Sequence, residues 1–126
     1  MRQVKQRGFT LIELVMVIVI LGVLAVVAIP KFIDLRNDAV VAATAGVAGT
    51  LSSASAINYA SRNANSAKGS AVANCTDVAA LLQGGLPALY SITTLAVASN
   101  ATGTCTLNNA NAANPASAAF TALGIS

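Results

Sequence analysis

The stretch FTLIELVMVIVILGVLAVVAI, residues 9–29, decides the architecture. Its 21 residues carry one charge, Glu13, and from residue 14 to residue 29 the run is apolar without interruption. As an α-helix at about 1.5 Å per residue it would span roughly 30 Å, the thickness of a bilayer's hydrocarbon core, so the segment is expected to cross a membrane. It is longer than the roughly 7–15 residues of a signal-peptide core, and no A-x-A-like site ends it, which sets it apart from an ordinary secretory signal.

The flanks of this run give it a direction. Arg2, Lys5 and Arg7 precede it without any acid, whereas Lys31 and Arg36 beyond it are offset by Asp34 and Asp38. The basic bias favours a cytoplasmic N-terminus, with everything after Pro30 outside. The same tip explains the net charge of +3: without its three basic residues the chain has four bases against four acids. The bulk therefore offers no basic stripe for nucleic acid. Charged residues are 9% of the chain and AVILMFWYC 56%, far from the roughly 25% charge of ordinary soluble domains. With no His and only two Cys, a zinc site or a His-dependent triad is not expected, nor is a cofactor. No convergent nucleophile, base and acid can be named, so an enzyme is not expected either.

Two features of the apolar run call for a reason. Glu13 carries a charge whose insertion near a bilayer centre costs about 2.5–3.5 kcal/mol, so it either has a partner, sits at headgroup level or is neutral. Gly22 and Pro30 weaken the helix, Pro30 by lacking an N–H donor and disfavouring helix at Ile29. They either bend a membrane helix or mark a flexible segment.

Downstream, residues 31–62 continue as a helix with Val40, Ala43, Val47, Leu51, Ala54 and Ile57 at steps of three or four, an apolar stripe that needs cover. The polar run NANSAKGSAVAN reads as a loop. CTDVAALLQGG reads as a short helix capped by Thr76, with Asp77 in its first turn and Gly84 and Gly85 ending it. Residues 90–98, 104–108 and 118–125 read as strands of an antiparallel meander. The fold class is α+β: a long N-terminal helix packed on a small sheet of about three strands. The last strand carries Phe120, Leu123 and Ile125 and is expected to dock. Cys75 and Cys105 would lie outside the cytoplasm and are expected to cross-link, with free thiols or a redox pair as the alternatives. Closing such a loop is worth about 3–4 kcal/mol.

The run Arg7-Gly8-Phe9-Thr10-Leu11-Ile12-Glu13-Leu14 resembles the processing and methylation motif of type IV prepilins and related pseudopilins. The likeness is strong over residues 1 to about 40 and looser beyond. It implies cleavage between Gly8 and Phe9 by a prepilin peptidase, methylation of the Phe9 amine, and a role for Glu13 in subunit assembly by pairing with a neighbour's N-terminus. It also implies that the interval from Gly22 to Pro30 loosens in filaments. The resulting partition is a cleaved leader (1–8), a membrane and filament-core helix (9–30), an amphipathic helix of the head (31–62) and a β-rich head with a disulfide loop (63–126).

The resemblance implies the major subunit of a pilus, a homo-oligomeric helical filament built by an inner-membrane assembly machinery, for adhesion, motility or DNA uptake. Its location would be the inner membrane first and the cell surface afterwards. The alternative is the major pseudopilin of a type II secretion system, which typically carries an acidic calcium loop near its C-terminus. Here no acid follows Asp77. One departure from the pilin pattern is that 21 residues follow Cys105, more than in many pilins.

Overall fold

A computed structural model describes residues 8–111 and 113–126, apart from the side chains of Ile33 and Asp34. Arg2, Lys5 and Arg7 lie outside the described residues. The order of elements is helix α1 (Leu11–Ala64), a 3-10 helix (Cys75–Leu81), and strands β1 (Tyr90–Ile92), β2 (Thr102–Asn109) and β3 (Ala116–Leu123). The strands form an antiparallel sheet in the order β1-β2-β3. The chain divides into two compact units, one through Arg36 and one from Asn37 onward.

In the first unit α1 is apolar on every face. Its long Leu, Ile and Val side chains are exposed throughout, and the helix continues through Gly22 and Pro30. It is long and apolar enough to cross a membrane. Ala, Leu and Met favour helix, and the β-branched residues that dominate here are tolerated where no water competes for the backbone.

In the second unit the sheet is patterned by its pleat. Along β2, Cys105, Leu107 and Asn109 are buried while Thr102, Thr104 and Thr106 face solvent, as period-two alternation requires. Register places Cys105 opposite Phe120 and Leu107 opposite Ala118 on β3, and Ile92 of β1 opposite Leu107. These inward residues meet Leu51 of α1, Val72, Val78 and Val97 in one core. The Cys75–Cys105 disulfide joins the 3-10 helix to β2 in its midst, with both cysteines fully buried.

The helix face that covers the sheet differs from the expected stripe. Thr44, Ala48, Leu51, Ser55 and Asn58 are buried, whereas Ala43 is exposed and Ile57 keeps 68% of its surface in water. The reason is the free edge of β3. The N–H groups of Thr121 and Leu123 donate to Ser52 Oγ (3.0 Å) and Ser55 Oγ (2.8 Å), so hydroxyls of the helix satisfy strand donors that would otherwise be orphaned. Small side chains allow this approach; a row of large apolar ones would hold helix and strand apart. Asn109 Nδ2 likewise donates to Thr44 Oγ1 (3.3 Å). Asn58 donates to the Ser70 carbonyl and accepts from the Ser70 N–H, both at 2.8 Å, tying the loop after α1 to its last turns.

The limits of all three strands also move. β1 ends at Ile92, not at residue 98, because the chain crosses to the segment before the 3-10 helix. There Cys75 N–H donates to the Leu95 carbonyl (2.9 Å) and Val97 N–H to the Ala73 carbonyl (2.7 Å), and Val97 enters the core. β2 starts earlier, at Thr102, and β3 occupies 116–123, after which Ile125 pairs with Val72. The crossing brings Ala98 so close to Gly124 that a Cβ there would collide with its carbonyl oxygen. The 3-10 helix is preceded by Asn74 rather than capped by Thr76; the Asp77 carboxylate accepts from the N–H groups of Ala73 (2.9 Å) and Asn74 (2.8 Å).

Candidate functional site: the N-terminal segment

The residues singled out for chemistry cluster at the start of α1. Gly8 and Phe9 precede the helix in irregular backbone, and Phe9 keeps 86% of its surface exposed. A Cβ added to Gly8 would meet no atom within 4 Å. Among the described residues nothing crowds the glycine side of the peptide between them.

Thr10 and Glu13 then build the helix start. Glu13 Oε2 accepts from the Thr10 N–H (2.9 Å) and from the Thr10 hydroxyl (2.7 Å), while the Glu13 N–H donates to Thr10 Oγ1 (3.3 Å). This is a reciprocal capping box, which satisfies donors left open at a helix N-terminus and places a carboxylate at the positive end of the helix dipole. Both Thr10 bonds fall on Oε2, so Oε1 is free of them. A carboxylate so held stands four residues after Phe9 and is exposed to solvent.

Thr10 is the residue that reading for charge and hydropathy missed. Its signal was present as Thr-x-x-Glu before an apolar run. The structure brings Gly8, Phe9, Thr10 and Glu13 together through local sequence; Gly22 and Pro30 lie along the same helix, and Cys75 and Cys105 belong to the other unit. Among the described residues no group of His, Cys, Asp or Glu is arranged to hold a metal ion.

Comparison with known proteins agrees with this geometry. Residues 4–29 match the family described as the prokaryotic N-terminal methylation motif. The chain is also similar to the type IV narrow pilus major component PilA5 of Thermus thermophilus, 47% identical over 53 residues, which is 42% of this chain and 46% of that protein. The match thus spans under half of the relative's length. No solved structure matches significantly. The two likenesses support a type IV pilin, and the long apolar helix with a disulfide-bonded α+β head is consistent with that class.

Proposed function

We propose that the chain is a structural, non-enzymatic subunit of a type IV pilus, processed at its N-terminus and assembled through the apolar half of α1. The observation that carries this reading is the N-terminal junction: a Gly8–Phe9 peptide uncrowded among the described residues, then Glu13 held in a capping box, then an apolar first part of α1 whose large side chains stay exposed. In this reading a prepilin peptidase cuts between Gly8 and Phe9 and the Phe9 amine is methylated. Residues 9–30 form the membrane anchor and later the filament core, 31–62 the helix of the head, and 63–126 the rest of the head.

Physical chemistry supports assembly. Apolar surface leaving the bilayer for the cell exterior must be covered, at about 25 cal/mol for each Å² kept from water. Copies of the same helix provide that cover. Cleavage creates a cationic amine on Phe9, which in a staggered bundle meets Glu13 of a neighbour; the pair neutralises two charges in an apolar setting and sets register. Gly22 and Pro30 give the helix a segment that can loosen as subunits pack. The subunit would move from the inner membrane to an extracellular filament.

The test is electron microscopy of material sheared from cells, with mass spectrometry of its subunit. Micrometre-long fibres whose subunit begins at methylated Phe9 are expected. Short periplasmic assemblies alone would favour a secretion pseudopilin, and a soluble monomer retaining residues 1–8 would end the reading.

A further inference from the structure

The unit from Asn37 onward contains four charged residues, Asp38, Arg62, Lys68 and Asp77. Two are engaged within it. Arg62 Nε donates to the Ser126 carbonyl (3.1 Å), and the Asp77 carboxylate holds the N–H groups before the 3-10 helix. The side chains of Asp38 and Lys68 are exposed and make no hydrogen bond or ion pair among the described residues. Of the four, one acid and one base are thus left without a partner among the described residues.

Each sits beside exposed apolar surface. Lys68 borders an open groove of about 470 Å³ lined by Ala54, Ile57 and Ser61 of α1 and by Ala80 and Leu81 of the 3-10 helix. Ile57, excluded from the core, is the most exposed large apolar side chain beyond residue 36, at 68%. Asp38 stands one turn before Val41, which is 54% exposed. At 3.6 residues per turn, the Ile57–Ser61 flank lies roughly 150° around α1 from the Asp38–Val41 flank and about 30 Å further along it.

Two complementary patches on opposite flanks of one body cannot satisfy each other within a chain. Nor do they form a self-complementary pair about a two-fold axis as a single patch would. They join copies head to tail, the heterologous contact that propagates into an open helical filament. We propose that the groove beside Lys68 receives the Asp38–Val41 flank of a second copy of this chain, with Val41 against Ile57 and Leu81 and with Lys68 paired to Asp38. The inference rests on the subunit reading above and adds the outer contact that sets the stagger of the heads. Because the pair lies at an exposed rim, it contributes more to register and orientation than to affinity, and salt weakens it.

Zero-length carbodiimide cross-linking of native sheared filaments tests the contact, with peptide mapping of the products. The expected product is an intermolecular amide between Lys68 and Asp38. Charge reversal supplies the second arm: Lys68→Glu or Asp38→Lys alone should lower filament yield about fivefold or more, and the two reversals together should restore it. Wild-type filaments that lack the cross-link, with single reversals assembling normally, would overturn the interface and leave the subunit reading standing. Absence of filaments from the wild type would overturn both.

Discussion

The two halves of α1 obey opposite rules of burial. Residues 11–29 hold the most apolar sequence in the chain and bury none of it, whereas residues 44–58 bury a face that includes Thr44, Ser55 and Asn58. Apolarity therefore marks where a partner is needed, not where the fold's own core lies. In the proposed reading the first half is covered by lipid or by other copies. The second half has its partner in the same unit and is selected for close approach and hydrogen bonding as much as for hydrophobicity.

This contrast can be broken by substitution, and the largest effect is expected at the disulfide. Replacing both Cys75 and Cys105 with Ala removes a buried cross-link from a small core and should lower head stability by about 3–4 kcal/mol, read from denaturant midpoints of the full chain in detergent. Next comes Leu51→Ala, which empties a fully buried site and should cost about 3 kcal/mol in the same assay. Its counterpart Leu21→Ala should leave head unfolding within about 0.5 kcal/mol and lower filament yield instead. An equal loss of head stability in the two variants would abolish the distinction between the halves.

Smaller effects sharpen it. Ser55→Ala leaves the Leu123 N–H without its acceptor at the β3 edge and should cost about 1–3 kcal/mol, more than the loss of a hydroxyl at an exposed site such as Ser53. Ile57→Ala, apolar but outside the core, should shift the midpoint by less than about 0.5 kcal/mol. A large cost at Ile57 with none at Ser55 would restore the stripe expected from periodicity.

Much of the architecture was legible for physical reasons that act locally. The apolar run shows through composition, and three strands through β-branched and aromatic residues bounded by turn formers. The cysteine pair shows through the setting outside the cytoplasm that the charge bias leads one to expect. What escaped depends on partners distant in sequence. Apolarity alone favours Ile57 and Ala54 for the stripe of α1. The true face is chosen by the need of Thr121 and Leu123 for acceptors nearly seventy positions away along the chain. Residues 93–98 look like a continued strand, yet after Thr93, whose N–H still donates to the Thr106 carbonyl, the pairing of residues 95–97 with residues 73–75 takes the chain off the sheet. Gly103 carries weak strand propensity, and it joins β2 with Thr102 because Ala122 and Leu123 lie opposite. At the N-terminal site, Gly8, Phe9 and Glu13 stood out by resemblance and by charge in an apolar run. Thr10 stood unnoticed because it is neutral and small, though its spacing from Glu13 is a capping signal.

The central claim is that the uncovered half of α1 is covered by its own copies, held in register by Glu13. Electron microscopy of sheared material from cells whose sole copy is Glu13→Ala tests it most directly, with subunit mass checked in the membrane fraction. The expected result is a membrane pool of chain and no long fibres. Fibres of normal length and abundance from that variant would contradict the claim.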